Sequence, residues 1–370
     1  MKNCLLLLLL AGAVQAYAQT DTMSLFVAGT NGYKSNRIPA IVTTPKGTLL
    51  AFCEGRKRSA SDAGDIDILL RRSTDGGRTW SAQQVIWDDG ANTCGNPCPV
   101  VDESTGQVLL VMTHNLGTDK ESDIIKKTAQ GTRTVWVSTS NDDGISWLAP
   151  RDITATTKNP KWGWYATGPG IGIQVKHGPH SGRLVIPCDF SDSDSIDLHA
   201  GYGSHIIYSD DHGQSWKLGG TITPKQNECQ VVELADGNGT LLMNMRSYFG
   251  RKCRTHAISY DGGITWTAPV DVPELMEPVC QASILRYTWP GKKTKSCILF
   301  LNPASGKRIN MSIRASYDEG KTWPVIRTLW AGPSAYSCMT VLPGGGVGCF
   351  YEAGEKSSYE RMVFQVLRLP

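Results

Sequence analysis

The chain has 370 residues, of which 37 are Lys or Arg and 34 are Asp or Glu, giving a formal net charge of +3. A charge this close to balance favours neither a nucleic acid nor a membrane surface as partner. Glycine (39) and proline (19) are frequent, and short β-branched or aromatic runs outnumber helical patterns. We therefore expect an all-β protein.

Residues 1–18 have the pattern of a secretory signal peptide. After an initial lysine, Leu5–Leu10 is a short apolar core and Ala16-Tyr17-Ala18 is a small-x-small cleavage site. The core is too short for a membrane span, and no other stretch approaches the roughly twenty apolar residues required. Cys4 precedes the core, which argues against a lipoprotein anchor. We expect residues 19–370 to form one exported domain, periplasmic or secreted.

The pattern Ser-x-Asp-x-Gly-x-(Ser/Thr)-Trp, here called the Asp box, recurs five times. The copies are Ser73–Trp80, Ser140–Trp147, Ser209–Trp216, Ser259–Trp266 and Ser316–Trp323. Each copy predicts a hairpin turn in which Ser and Asp bond backbone N–H groups, Gly supplies positive φ and Trp covers the base of the hairpin. Repetition every roughly 50 to 70 residues indicates a repeat architecture.

Five boxes in a chain of this length predict a six-bladed β-propeller, with six four-stranded sheets around an axis. Ser24–Ala28 or Met362–Leu369 is expected to lend a strand that closes the ring. Propellers bind ligands at one end of the axis, whereas the boxes lie at the outer margin. The box aspartates are therefore predicted to be structural.

Ten of the eleven cysteines follow the signal peptide, and export would permit disulfides. Cys53, Cys229 and Cys349 lie in strand-like runs and are expected to act as small hydrophobes. Cys94 and Cys98 could pair or bind a metal, but no cluster with His at ligand spacing accompanies them. We expect no metal site and leave the disulfide pairing open.

Charged or polar groups interrupt apolar strand sequence in a few segments outside the boxes. These are Arg37–Ala40, Glu228–Leu234 with Met245–Ser247, Gly306–Ile309 and Ala335–Ser337. A charge at a strand end must be solvated, paired with an opposite charge or engaged in binding or catalysis. These segments are therefore the candidate functional residues.

Arg37-Ile38-Pro39, followed by Leu49–Arg56 and the repeated boxes, resembles the exo-α-sialidase (neuraminidase) family. Further similar segments occur in the family's order: Asn96–Pro99, Thr167–Gly170, Glu228–Gln230, Met245–Ser247 and Ala335–Ser337. The resemblance covers almost all of residues 19–370 and implies a six-bladed propeller.

By this resemblance, Arg37, Arg246 and Arg308 bind the carboxylate of sialic acid; we call them the arginine clamp. Arginine suits this role because it is permanently charged and offers a fork of donors. Three guanidinium groups repel one another and need acids to brace them. Glu352 resembles the family's brace of the first arginine, and Glu54 is a second candidate.

Tyr336 resembles the family's nucleophile and Glu228 the base that takes its proton. A neutral phenol can approach an anomeric carbon that bears a carboxylate, whereas an ionised Asp or Glu would be repelled. Glu233 is the alternative base, although the odd spacing would point it to the opposite strand face. Asp62 resembles the general acid, and Asp65 is the alternative.

Two further residues complete the resemblance. Arg56 is similar to the arginine near O4 and the N-acetyl group, and Glu121 to an acid on a flexible loop over the glycerol chain. The implied protein is a retaining exo-α-sialidase, a glycoside hydrolase acting through a tyrosyl-enzyme intermediate without metal or organic cofactor. It would release terminal sialic acid from glycoproteins, glycolipids and oligosaccharides. Its oligomeric state stays open, with a monomer favoured.

Two other functions stay open. A trans-sialidase or an anhydro-forming sialidase would use the same residues with another acceptor, for which Trp162, Trp164 and Tyr202 are candidate platforms. A non-catalytic propeller that binds glycans or proteins would be expected to have lost the Tyr, the Glu or an arginine, and none is missing.

The signal peptide leads to a testable prediction. Cleavage after Ala18 should leave Gln19, as glutamine or in its cyclised form, as the first residue of the exported protein. Mass analysis of the N-terminal peptide measures this directly. An intact Met1 or a lipid-modified Cys4 would contradict it.

Overall fold

The structure is a computed structural model that describes residues 22–192 and 199–368. Strands dominate these ranges, which hold two short helices, α1 (Glu121–Ile125) and α2 (Thr154–Thr157). The prediction of an all-β protein is confirmed. Neither helix is long enough to cross a membrane. The predicted signal peptide lies outside the described residues.

The strands have the following bounds. In chain order they are β1 (Thr22–Val27), β2 (Ser35–Thr43), β3 (Leu49–Arg56), β4 (Ile66–Ser73), β5 (Gln84–Trp87), β6 (Thr93–Val101), β7 (Val108–Asn115), β8 (Thr134–Ser140), β9 (Arg151–Asp152), β10 (Trp162–Thr167), β11 (Ile173–Gln174), β12 (Leu184–Asp192), β13 (Tyr202–Ser209), β14 (Lys217–Ile222), β15 (Gln226–Glu233), β16 (Leu241–Ser247), β17 (Cys253–Ser259), β18 (Val270–Met276), β19 (Ser283–Thr288), β20 (Cys297–Pro303), β21 (Ile309–Ser316), β22 (Val325–Val341), β23 (Val347–Ala353) and β24 (Arg361–Leu367).

These strands form four sheets. One has the order β2-β3-β4-β6-β7-β8-β9, with β5 paired to β4, and another has the order β10-β12-β13-β14, with β11 paired to β12. The third has the order β15-β16-β17-β18, and the fourth the order β1-β24-β23-β22-β21-β20-β19. Sequential strands pair antiparallel, while β4 and β6 meet at one parallel bridge between Ile66 and Thr93.

The basic unit is a run of four antiparallel strands. The first sheet contains two such runs joined by the parallel bridge. The long strand β22 serves two runs, because its first part pairs with β21 and its second part with β23. Strand β1 pairs with β24, with Thr22 opposite Gln365. Both terminal segments that were expected to lend a strand therefore form strands and pair with each other.

Apolar side chains fill the space between the sheets. One cluster joins Phe52 of β3 to Met112 of β7 and Phe350 of β23. All cysteines in the described ranges are free and buried, and Cys53, Cys229 and Cys349 belong to hydrophobic clusters as expected. Cys94 and Cys98 are among the free thiols. No grouping of three or more potential metal ligands occurs within residues 22–192 and 199–368.

Each Asp box closes the turn after the third strand of a run. In the first box, Ser73 Oγ donates to Asp75 Oδ1 at 2.8 Å and accepts the N–H of Gly77 at 2.9 Å. Asp75 accepts the N–H of Thr79 at 2.9 Å and its hydroxyl at 2.6 Å. The other boxes repeat the serine and aspartate contacts. These bonds support the structural role predicted for the boxes.

The turn requires positive φ at one more residue than the sequence predicts. The box glycine has positive φ as predicted, but the preceding residue does too: φ is 68° at Asp143 and 76° at Gly144. The tryptophans were predicted to cover their own hairpins, and in two boxes the ring also packs against another run: the rings of Trp80 and Phe364 lie 5.1 Å apart. Trp147 packs edge-on against Phe52 of the preceding run, with ring centroids 5.6 Å apart. The box therefore also joins neighbouring runs.

The box contacts predict a pH-dependent contribution to stability. Hydrogen bonds from the Ser146 side chain and backbone lower the pKa of Asp142 to about 2. A depressed carboxyl pKa stabilises the fold above the ordinary value and loses this contribution as pH falls through the folded-state value. Asp142→Ala should therefore lower the melting temperature at pH 7, with the difference from the parent shrinking between pH 4 and about pH 2.

Activity per folded molecule should stay unchanged in this variant, because the box lies away from the candidate site described below. Melting curves at several pH values and kinetics on the folded fraction test the two statements separately. A large loss of turnover with an unchanged melting temperature would contradict the structural role.

Candidate active site

A cavity of about 320 Å³ collects nearly all of the candidate residues. Those that line it are Arg37, Glu54, Arg56, Asp62, Glu121, Glu228, Arg246, Arg308 and Tyr336. Glu352 is fully buried and contacts the cavity-lining Arg37. Residues that are up to roughly 300 positions apart in sequence thus share one site.

Strand irregularities occur where these side chains leave the sheets. The pairing register shifts next to Arg37 in β2, next to Glu228 in β15 and next to Tyr336 in β22. In β2 the shift includes Ile38, whose φ is 63°, a value uncommon for a branched residue. A β-bulge adds an unpaired residue and re-aims the neighbouring side chains. The bulges thus allow three strands to direct polar groups into one cavity.

Glu352 binds Arg37 with both carboxylate oxygens. Arg37 Nε donates to Oε1 at 3.0 Å, and Nη2 donates to Oε2 at 3.3 Å. The same carboxylate accepts the backbone N–H of Ile38 at 3.1 Å and of Tyr336 at 3.0 Å. Burial opposes the charge of Arg37, but Glu352 outweighs it and raises the arginine's pKa. The structure therefore places Glu352 where a brace of Arg37 must lie.

The three arginines of the clamp surround Tyr336. The guanidinium carbons of Arg37 and Arg308 lie 4.8 Å and 5.6 Å from the centre of its ring. Arg246 Nη1 lies 3.3 Å from the phenol oxygen. The structure thus brings together the three arginines that the sequence proposed as a group.

The hydroxyl of Tyr336 donates a hydrogen bond to Oε1 of Glu228. Oε2 of the same carboxylate accepts from Arg246 Nη1 at 2.6 Å. Burial and the charge of Glu228 raise the pKa of Tyr336, and Arg246 and Arg37 offset only part of this. In the free protein the phenol is therefore neutral and already bonded to a proton acceptor.

Asp62 lies at the rim, with 60% of its side chain exposed. Its Oδ1 is 2.7 Å from Arg56 Nη2 and 3.7 Å from Arg37 Nη1. Partial desolvation by the cavity walls disfavours its charged form, but Arg56 and Arg37 outweigh that effect and lower its pKa. Asp65, the alternative, pairs with Lys57 at 2.9 Å and does not line the cavity.

Glu54 binds Arg56 and not the arginine clamp, so the proposed second brace is wrong. Arg56 Nε and Nη2 donate to its Oε2 at 2.9 Å and 2.6 Å. The two residues are two apart on β3, so their side chains lie on the same face of the sheet and meet. Glu54 Oε1 accepts the N–H of Asn96 at 2.8 Å.

The remaining acids lie apart from the Tyr336 hydroxyl. Glu121, which begins α1, accepts a hydrogen bond from the Tyr202 hydroxyl at 2.7 Å, and burial raises its pKa. Glu233, the alternative base, accepts the N–H groups of Lys176 at 2.6 Å and His177 at 2.9 Å. It lines a different cavity, so of the two candidate bases Glu228 is the one placed to receive the phenol proton.

The three aromatic residues that were candidates to contact an acceptor lie in different places. Trp162 stacks on Phe190 in the core with centroids 3.7 Å apart, so its proposed contact with an acceptor is wrong. Trp164 lines the cavity and packs under the guanidinium of Arg133 at 4.1 Å. Tyr202 is buried and engaged with Glu121, beside the cavity.

Sequence reasoning missed two buried charged residues that line the cavity. Arg133 donates to Asn96 Oδ1 at 2.5 Å, and Asp189 accepts from Asn227 Nδ2 at 2.9 Å. Burial lowers the pKa of Arg133 and raises that of Asp189. Asp189 interrupts the apolar run of β12, which is the same signal that singled out the other segments. That signal could have identified it.

The chain is similar in sequence to known proteins. A family model described as a BNR repeat-like domain matches residues 47–349. A sialidase of Micromonospora viridifaciens is 35% identical over 94% of this chain, which spans about half (54%) of that relative. Sialidase-3 of Mus musculus is 31% identical, with 89% of this chain and 90% of the relative covered.

The chain is also similar to a solved sialidase structure. A Hadza microbial sialidase superimposes with a TM-score of 0.83 at 33% identity, covering 94% of this chain and 68% of the other. The chain therefore belongs to the sialidase family and contains its BNR repeat-like domain.

Proposed function

We propose that this protein is a retaining exo-α-sialidase, a glycoside hydrolase that releases terminal sialic acid from glycoproteins, glycolipids and oligosaccharides. The observation that carries the proposal is the Tyr336 phenol, which bonds Glu228 and lies among three arginines. A carboxylate-bearing sugar needs both features, a positive site for its acid group and a nucleophile without negative charge.

The charge balance around the clamp fits an anionic substrate. Glu352 and Glu228 offset the charges of Arg37 and Arg246, while Arg308 has no carboxylate partner within the described ranges. The charge of Arg308 is therefore available for the substrate's carboxylate. Because the pocket is partly enclosed, this attraction is stronger than at an exposed surface.

In the first step, the Tyr336 oxygen attacks the anomeric carbon while its proton moves to Oε1 of Glu228. The bond between the anomeric carbon and the leaving oxygen breaks, and Asp62 gives that oxygen a proton. In the second step, Asp62 takes a proton from water, which attacks the anomeric carbon. The Tyr336 oxygen leaves and recovers its proton from Glu228. Two displacements retain the anomeric configuration.

Asp62 must be protonated to act as an acid, yet Arg56 and Arg37 hold its pKa low in the free protein. A substrate carboxylate on the clamp would compete with Asp62 for Arg37 and would add a negative charge nearby. Both effects raise the pKa of Asp62. Substrate binding would thus prepare the acid for proton transfer.

We further propose that residues 19–370 form a six-bladed propeller exported after removal of residues 1–18. Support for the ring comes from contacts between the first strands of the runs. Strand β2 contacts both β6 and β22, β6 also contacts β10, and β19 contacts both β15 and β22. Support for export is the signal-peptide pattern.

Product analysis tests the function and its alternatives together. Purified protein is incubated with an α-sialoside, and the released sugar is identified by NMR as it forms. Free sialic acid appearing first as the α-anomer supports the proposal. An anhydro sugar or transfer to an added acceptor would indicate the alternative chemistry, and absence of cleavage would favour a binding module.

The clamp predicts a large loss on substitution. Arg246→Ala or Arg308→Ala should cost on the order of 2–5 kcal/mol in kcat/KM, as for a broken charge pair. Lysine should rescue poorly because it lacks the guanidinium fork. Arg78→Lys, at an exposed box position, is the control. Folded clamp variants within about threefold of the parent would contradict the assignment.

The mechanism predicts different roles for Tyr336 and Asp62. A 2,3-difluoro sialic acid should leave a covalent adduct on Tyr336, because fluorine destabilises the cationic transition state for its breakdown. Asp62→Ala should slow natural sialosides far more than aryl sialosides with good leaving groups, whereas Tyr336→Phe should slow both. Peptide mapping and paired kinetics measure these effects. An adduct on Glu228 or Asp62, or an inverted product, would contradict the mechanism.

A further inference from the structure

Tyr359 contacts two arginines of the clamp at once. Its hydroxyl accepts a hydrogen bond from Arg308 Nη1 at 2.6 Å. Its ring lies under the guanidinium of Arg37, 4.2 Å from the ring centre to Cζ. It is half-buried in the connection between β23 and β24 and lines the cavity.

The three arginines have partners of different charge. Carboxylates hold two of them, Glu352 at Arg37 and Glu228 at Arg246. In the described part of the chain, Arg308 has no acid within ion-pair distance, and its hydrogen bond goes to a neutral phenol. Arg308 is therefore restrained in position while its charge is not neutralised.

This difference has a physical consequence for anion binding. A carboxylate partner would orient Arg308 equally well but would cancel much of its field at the cavity. The phenol oxygen is a neutral acceptor, so it fixes the guanidinium and leaves its other donors free. The ring also presents the negative face of its π system to Arg37. This attraction offsets part of the repulsion between the charges of Arg37 and Arg308.

The connection that carries Tyr359 is built to hold it. The carboxylate of Glu360 accepts the N–H groups of residues 355, 356 and 357 at 3.0 Å, 2.8 Å and 2.9 Å. The backbone carbonyl of Glu360 accepts the N–H of Ala28 at 2.9 Å, and Gly354 donates to the carbonyl of Pro333 at 3.1 Å. The segment is thus tied to the strands on both sides.

Tyr359 also packs on the apolar side of the site. Its ring contacts the cluster of Ile38, Cys280, Ala335 and Tyr336. Rotation of the ring away from the arginines would therefore lose apolar contacts as well as polar ones. These constraints pre-organise the phenol before any ligand binds.

We propose that Tyr359 is a positioning residue of the arginine clamp, which orients Arg308 through a neutral acceptor and thereby preserves its positive charge for the substrate carboxylate. The inference rests on the proposed sialidase function. It assigns a role to the connection between β23 and β24, where no candidate residue was identified from the sequence.

The first test removes only the acceptor. Tyr359→Phe keeps the ring over Arg37 and should weaken binding of 2,3-didehydro-2-deoxy sialic acid, a carboxylate-bearing analogue, by roughly tenfold or more. KM for a sialoside should rise similarly, with a smaller change in kcat. Tyr260→Phe, at a 73% exposed box position, is the matched control and should change neither.

The second test separates position from charge. Tyr359→Gln and Tyr359→Glu have nearly the same shape and both offer an oxygen to Arg308, but only the glutamate is charged. The inference expects the Glu variant to bind the analogue at least about tenfold more weakly than the Gln variant at pH 7. Equal dissociation constants for the pair would overturn it.

Folding and function are controlled separately. Melting temperatures identify variants that do not fold. Where a Tyr359 variant does not fold, Glu360→Gln replaces it as the test. This substitution loosens the connection without altering the cavity lining and should also weaken analogue binding. If the parent fails to cleave sialosides, the proposed function is rejected and the inference with it. If the parent is active and folded Tyr359→Phe binds the analogue as the parent does, only the inference is overturned.

Discussion

The site depends on one buried carboxylate, that of Glu352. It receives four hydrogen bonds from three residues: two from the guanidinium of Arg37 and one each from the N–H groups of Ile38 and Tyr336. A buried ion pair is stable only when its remaining hydrogen-bonding capacity is also satisfied, and these contacts satisfy it. The clamp and the nucleophile are thereby fixed relative to each other.

This contact also makes the site a property of the whole chain. Arg37 lies on β2 near the N-terminus, whereas Tyr336 and Glu352 lie on β22 and β23 near the C-terminus. Strand β2 contacts β22 and β23 directly, and β1 pairs with β24. The reacting groups can therefore meet only after the first and last runs of strands have packed together.

Within each run of strands, the parts that stabilise the fold differ from the parts that carry the residues of the site. The boxes close the outer turns with local hydrogen bonds, and a tryptophan such as Trp147 joins adjacent runs. The first strands β2, β15 and β22 carry Arg37, Glu228 and Tyr336, with a bulge beside each. Irregular pairing is tolerated there because the middle pairs, such as β3 with β4 and β12 with β13, are regular and supply continuous backbone bonding.

Several features were determined by the sequence alone because they depend on local or strongly characteristic patterns. The all-β character follows from composition, and the boxes are hydrogen-bonded within four residues, so Ser140 and Asp142 could be assigned without a fold. The resemblance identified the clamp, Tyr336 and Glu228 as a group, and the structure brings them into one cavity.

Other features were decided only by tertiary structure. Glu54 binds Arg56 instead of the clamp, Trp162 packs in the core, and Tyr359 joins two arginines from a connection that has no recognisable motif. Asp189 reaches the cavity from the middle of an apolar strand. The reason is physical: most of these contacts join residues distant in sequence, and all of them depend on strand register, bulges and packing between runs, which local patterns do not encode.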